Sequence, residues 1–353
     1  MLKDLVVIEL ASVLAGPDVG MFFAELGARV IKIENKTTNG DVTRTWKLAS
    51  EDKNAKVSAY FASVNWNKES LFLDLQNIQD RNKVHELVKE ADIVIANYKK
   101  GDDIKLKVDY KTLKKINPRI IYGSINGFGS LDKRVAFDVV LQAESGFMSM
   151  NGTPKSSPIK LPIAMIDVIA AHQLKEGILL ALLKREKENK SYLVEVSLYD
   201  AAISALKNQA SNWLMNNEIP QALGSLHPNI APYGEIFTTK DNKQIVMAIG
   251  SDIQFNQLIE IIGAKEILKN KLYSNNPLRV KNRTQLFSDL VPYFKKFNRN
   301  ILMKLLIKNN VPAGAIKNLK EVFIEKSAQN LINEEIIEGT LTKRVKTAVF
   351  KIS

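Results

Sequence analysis

Cysteine is absent from this chain of 353 residues, which removes a disulfide framework, a thiolate zinc site, an iron–sulfur cluster and a cysteine nucleophile together. Histidine is scarce: His85, His172 and His227 stand far apart and show no metal-ligand spacing. No apolar run reaches the ~18–20 residues of a membrane span. Met1-Leu2-Lys3-Asp4 leads into a short apolar strand rather than a signal-peptide core. The expectation is a soluble, cytoplasmic protein without a metal, whose chemistry uses oxygen or nitrogen groups.

Three common motifs are also missing. The first strand-to-helix turn reads Ala11-Ser12-Val13-Leu14-Ala15-Gly16-Pro17 instead of G-x-G-x-x-G, which argues against the usual dinucleotide site. No G-x-x-x-x-G-K-[ST] occurs, so a P-loop is excluded, and no G-x-S-x-G marks a nucleophilic serine.

What is present is an ordinary globular balance, 45% hydrophobic and 25% charged residues. The length exceeds the ~250–300 residues at which one core stops growing, so two lobes are expected. The formal net charge of +12 suits nucleic acid, a membrane surface or a small polyanion, but its lysines are scattered rather than gathered in one arm. A solvated lysine-rich surface is the simpler reading.

The first half alternates strand and helix signals. Strands are expected at 5–10, 29–34, 70–75, 92–97 and 120–126, with helices at 19–26, 81–89 and 110–117 between them. Val30–Ile33, Ile93–Ala96 and Ile120–Tyr122 are nearly continuous apolar runs, as in strands buried on both faces of a parallel sheet. A long apolar helix follows at 167–187, then a strand at 192–197 and one helix at 200–215. The organisation expected is a large α/β domain over 1–216, a Pro- and Gly-containing linker at 217–232, a small α+β domain over 233–310 opened by a hairpin, and a return to the large domain over 311–353.

With other nucleophiles set aside, carboxylates remain. Asp138 lies in the apolar stretch Ala136–Ala143, and Asp167 follows Leu161-Pro162-Ile163-Ala164-Met165-Ile166. Apolar surroundings raise a carboxyl pKa and leave its anion poorly solvated, which makes it a better nucleophile. For Asp167 the competing reading is a helix N-cap, and the two are compatible.

An ordered set of segments then carries a resemblance. It runs from Val7–Pro17 through Leu26–Glu34, Gly40–Arg44, Asn67–Ser70, Leu73–Leu75, Ala91–Val94, Asn97-Tyr98, Asn117–Tyr122, Gly127–Gly129, Phe137-Asp138 and Gln142–Gly146 to His227–Tyr233 and Val311–Gly314. Together these resemble the class III CoA-transferases, the formyl-CoA and carnitine CoA-transferase group that also contains the α-methylacyl-CoA racemases. The resemblance implies a Rossmann-like large domain made by both chain ends, a small domain, and an interlocked homodimer. It implies coenzyme A as substrate rather than as a tightly bound cofactor, with acyl-CoA and carboxylic acids as partners and neither nucleic acid nor membrane. Dicarboxylates such as succinate are donors on this analogy.

By the same resemblance the nucleophilic aspartate falls on Asp167, after an apolar strand, with Asp138, Glu144 and Asp200 as supporting groups. CoA contacts fall on Val13, Ala15, Leu73, Asn97, Tyr98 and Lys105, and Asn35 stands where arginine is common. Lys32, Lys36, Lys99, Lys100 and Lys105 are then candidates for meeting the phosphate charge, as point charges without arginine's two-pronged grip. The glycine-rich lid of oxalate-specific members is replaced by Leu223–Asn229, which does not support oxalate specificity. The racemase branch needs a histidine where Phe137 stands, and phenylalanine carries no proton. Two alternatives thus stand behind CoA transfer: a racemase or epimerase of the same fold, and a non-catalytic protein binding CoA or nucleic acid.

Overall fold

Strand β1 (Val6–Glu9) and strand β2 (Arg29–Asn35) lie parallel, joined through helix α1 (Ala15–Glu25). In the computed structural model, which describes residues 2–353, this unit starts an alternating series. The short helix α2 (Ala59–Ala62), β3 (Lys68–Leu73), α3 (Ile78–Lys89), β4 (Ile93–Ala96), α4 (Asp102–Lys105), α5 (Tyr110–Ile116) and β5 (Ile121–Asn126) follow. Then come α6 (Asp138–Glu144), α7 (Phe147–Met150), α8 (Met165–Glu188), β6 (Tyr192–Ser197), α9 (Leu198–Ala205) and α10 (Lys207–Asn216).

The six strands form one parallel sheet in the order β3-β2-β1-β4-β5-β6. Alternate residues of its central strands feed cores on opposite faces. Val7, Val30, Ile93 and Ile95 pack with residues of α1, α8 and α9, while Ile8, Ile31, Ile33 and Val94 pack with residues of α3 and α5. Both faces are covered, so these strands read as unbroken apolar runs.

Helix α8 starts at Met165, and Ala164, which has no capping side chain, is its N-cap. Asp167 is therefore inside the first turn and is not the N-cap, and residues 160–164 before it are not a strand. The helix buries one side only: Ile166, Ala170, Leu174 and Ile178 are buried, whereas His172, Gln173 and Glu176, and also Leu180 and Leu183, are exposed. The single helix expected at 200–215 is two, α9 and α10, because Lys207 adopts a positive φ of 45°.

The first compact unit comprises residues to Met148, Lys160–Pro220 and Gln329–Ser353; the second comprises Ser149–Ile159 and Gln221–Ala328. In the second, β7 (Tyr233–Thr238), β8 (Gln244–Ala248) and β9 (Ala313–Ala315) form an antiparallel sheet. Phe237, Met247, Phe255, Leu258 and Phe294 are buried in its core, the Phe237 and Phe294 rings stacking at 4.0 Å. The sequence pattern places the return to the large unit at Val311. In the structure Ala313–Ala315 remains with the small sheet, and the chain rejoins the first unit at Gln329. There β10 (Ile332–Ile337) and β11 (Thr340–Val345) form a hairpin. Beyond it the amides of Thr347 and Ala348 donate to the Glu25 carboxylate of α1 at 3.0 and 2.6 Å.

Candidate functional site

A parallel sheet that winds outward in two directions leaves a crevice where the strand order reverses, at the carboxyl ends of its strands. Here the reversal is between β1 and β4. A cavity of about 470 Å³ opens at that point, lined by Leu10, Ser12, Asn35, Asp41, Leu73 and Tyr98 among others. Several candidate CoA contacts therefore converge. Asn35, Leu73 and Tyr98 line the cavity, and burial pushes the Tyr98 phenol pKa up, so it keeps its proton. Val13 and Asn97 hydrogen-bond to lining residues, Val13 through its amide to Asp41 at 3.1 Å and Asn97 to Ser12 at 2.8 and 3.0 Å. Ala15 is buried at the start of α1. Lys105 is exposed on α4, paired with Asp102 at 3.1 Å, and is not among the lining residues.

Lys32 departs from its expected role. It touches the cavity, yet its ammonium is fully buried and donates to Glu9 Oε1 at 2.9 Å and the Ala11 carbonyl at 2.9 Å, with Asp41 Oδ2 at 3.1 Å. Two of its N–H groups are spent on Glu9 and Ala11 and its charge is met by two buried carboxylates, so this buried ammonium is poorly placed to meet a phosphate. Burial opposes its charge, but Glu9 and Asp41 outweigh burial and raise its pKa.

The second centre is Asp167, which is 9% exposed. Burial, with the nearby negative charge of Asp138, pushes its pKa up to about 7. Asp138, the first residue of α6, supplies the cap that Ala164 lacks. Its Oδ1 accepts from the amides of Ile166 at 2.7 Å and Asp167 at 3.4 Å. The buried Gln142, one turn further along α6, donates to the other Asp138 oxygen, while its own oxygen accepts from the Leu161 amide at 2.7 Å. Two side chains of α6 thus hold the segment that delivers Asp167.

Of the other supporting candidates, Glu144 is exposed and paired with Arg134 at 2.9 Å. Asp200 is exposed on α9, its amide donating to the Ser197 hydroxyl at 2.9 Å. Neither shows a hydrogen bond or ion pair with Asp167. Two participants had no role assigned in the sequence reading. Tyr60, on the four-residue α2, has its phenol pKa pushed up to about 12 by burial and by the charges of Asp167, Asp138 and Asp41, and its ring meets Trp46 edge-on at 5.0 Å. Tyr60 is thus within electrostatic reach of both centres. Gln142 is the other, present in the sequence reading only as a member of a matching segment. Among the described residues no group of three His, Asp or Glu side chains stands where it could hold a metal, and no helix is long and apolar enough to cross a membrane.

Comparison with known proteins places the chain in a family. The sequence profile described as CoA-transferase family III matches residues 2–352. The chain is 34% identical to the succinate–glutarate CoA-transferase of Agrobacterium fabrum, covering 99% of this chain and 88% of that one. It is 32% identical to human succinyl-CoA:glutarate CoA-transferase, over 92% of this chain and 73% of that one. Among solved structures, a CAIB/BAIF family protein from Brucella suis superposes with a TM-score of 0.88 at 35% identity, covering 100% of this chain and 92% of that one. The fold and these matches define a CoA-transferase on a doubly wound sheet. The chain belongs to CoA-transferase family III.

Proposed function

We propose that this enzyme moves CoA from an acyl-CoA thioester to a carboxylic acid with Asp167 as covalent nucleophile. The observation that carries the reading is a buried carboxyl, held on the first turn of α8 by Asp138, whose pKa near 7 keeps an ionised but poorly solvated fraction at neutral pH. In the first step an Asp167 oxygen attacks the thioester carbonyl, the carbon–sulfur bond breaks, and CoA thiolate leaves a mixed anhydride. The thiolate then attacks the Asp167 carbonyl carbon, expelling the donor acid as carboxylate and forming an aspartyl-CoA thioester. The acceptor carboxylate attacks that thioester, breaking its carbon–sulfur bond to give a second mixed anhydride and CoA thiolate, and the thiolate then attacks the acceptor acyl carbon and expels the Asp167 carboxylate. No proton or water enters the balance, so the chemistry asks for a dry pocket and oriented groups.

The crevice at the β1/β4 reversal holds the CoA nucleotide in this reading, with Asn35, Leu73 and Tyr98 in its wall. The protein works as a cytoplasmic homodimer, and its acids are dicarboxylates, a choice supported by the succinate–glutarate and succinyl-CoA:glutarate transferase relatives from Agrobacterium and human. Incubation with succinyl-CoA or glutaryl-CoA, followed by borohydride reduction or hydroxylamine and peptide mapping, is expected to mark Asp167. Wild-type rates of transfer in Asp167→Ala would overturn the proposal.

A further inference from the structure

The first strand-to-helix turn of a nucleotide-binding sheet is ordinarily shaped by glycines, whose absent side chain permits a positive φ and close approach of the backbone. In this chain the turn is Ala11-Ser12-Val13, and Val13 has φ of 72°. A β-branched residue in that region is strained and persists only where its surroundings hold it. Each residue of the turn is held by a different side chain. Lys32 donates to the Ala11 carbonyl at 2.9 Å. Asn97 pairs with both backbone groups of Ser12, accepting from its amide at 3.0 Å and donating to its carbonyl at 2.8 Å. The Asp41 carboxylate accepts from the Val13 amide, at 3.1 Å to the nearer oxygen and 3.4 Å to the other.

These holders are themselves fixed. Asp41 also accepts from the Thr43 amide at 3.0 Å and hydroxyl at 2.8 Å, and its own amide donates to Glu34 at 2.8 Å. Lys32 lies opposite Glu9 in the β1–β2 register and is tied to it at 2.9 Å, so the arrangement is anchored in the sheet. The Ser12 and Val13 amides are both spent on side chains, so the turn offers shape rather than donors to an anionic ligand.

We propose that Asp41, Asn97 and Lys32 are positioning residues for acyl-CoA, clamping Ala11–Val13 into the crevice wall and replacing with side chains what glycine supplies elsewhere. The inference rests on the reading that this crevice takes CoA. It predicts that the need for Asp41 disappears when Val13 no longer resists the conformation.

The test is a double-mutant cycle on the full-length protein, reading CoA affinity by calorimetry and, without ligand, hydrogen–deuterium exchange of the peptide covering residues 10–15. Asp41→Ala is expected to weaken CoA binding by about tenfold and to speed exchange of that peptide; in a Val13→Gly background the same change is expected to weaken binding by about threefold or less. An equal loss in both backgrounds, or exchange unchanged by Asp41→Ala, overturns the proposal. Should Asp41→Ala fail to fold, Asn97→Ala, which removes both side-chain bonds to Ser12, takes its place in the exchange measurement, and unchanged exchange of the 10–15 peptide overturns the proposal. If the native chain binds no CoA, the reading of the crevice falls, while the ligand-free exchange comparison still decides whether Asp41 clamps the turn.

Discussion

Asp138 accepts the Ile166 amide at 2.7 Å, so the helix that carries the proposed nucleophile is capped by a side chain from α6. The same carboxylate raises the pKa of Asp167. Asp138 therefore does two separable things, one by hydrogen bonding and one by charge.

Asp138→Ala removes both and is expected to cost ~1–2 kcal/mol, as other helix-cap deletions do. Asp138→Asn keeps an acceptor for Ile166 but removes the charge. If ionised Asp167 is the nucleophile, kcat/KM rises with pH through about 7 in the wild type. In Asp138→Asn that rise moves to lower pH, because the opposing negative charge is gone. A pH–rate profile checks it, and an unmoved or upward-moved limb contradicts the electrostatic link.

Asp167 itself is expected to weaken the fold at neutral pH. Its folded pKa lies above the unfolded value, so the folded state binds the proton more tightly, and the stability this gives at low pH is lost as pH rises through about 7. Asp167→Asn removes that dependence. The variant is expected to exceed the wild type by on the order of 3 kcal/mol above pH ~7.5, with the gap closing toward pH ~4. Urea titrations at several pH values measure it; a gap that widens on acidification has the wrong sign.

Gly20 lies inside α1, where alanine ordinarily gains about 1 kcal/mol over glycine. Here the sign reverses. A Cβ at this position would stand 1.8 Å from Glu9 Oε2, and that carboxylate cannot retreat, being tied to Lys32 at 2.9 Å and Lys68 at 2.7 Å in a fully buried site. Gly20→Ala is expected to destabilise by ~2–4 kcal/mol through displaced, unpaired buried charge. Thermal unfolding of the two proteins decides the sign.

Tyr60 keeps its proton across the physiological range, since burial and three carboxylates push its pKa to about 12. A neutral phenol within electrostatic reach of Asp167 is a ready donor to a substrate carboxylate or a thioester oxygen. Tyr60→Phe removes the hydroxyl alone, and kcat/KM is expected to fall by roughly tenfold or more with stability changed by less than ~1 kcal/mol. Wild-type kinetics in this variant would show that the phenol only fills space.

These residues show where sequence reasoning reaches. The strands β1, β2, β4 and β5 were legible because a sheet covered on both faces writes itself as uninterrupted apolar runs. Asp167 was legible as a candidate because its apolar neighbours foretell desolvation. Its cap was not, since Asp138 reaches Ile166 only after the chain folds back, and no local pattern encodes that pairing. The resemblance offers Lys32 for phosphate charge, whereas the β1–β2 register buries its ammonium against Glu9, a pairing no local pattern encodes. Tyr60 rides on a helix of four residues, too short to show any period.

Phe137 supports one last distinction between reactions that share this scaffold. Removal and return of the proton α to a thioester needs ionisable groups on both faces of the carbon. Phe137 is the N-cap of α6, 53% exposed, with a side chain that can neither take nor give a proton, directly beside Asp138. Transfer of CoA, by contrast, attacks only the carbonyl carbon and leaves the α-position untouched. In D2O, acyl-CoA turned over by the enzyme is therefore expected to carry no α-deuterium beyond the uncatalysed background while CoA passes to the acceptor. Exchange at a rate comparable with transfer, read by proton NMR or mass spectrometry, would return the racemase chemistry to consideration despite the phenylalanine.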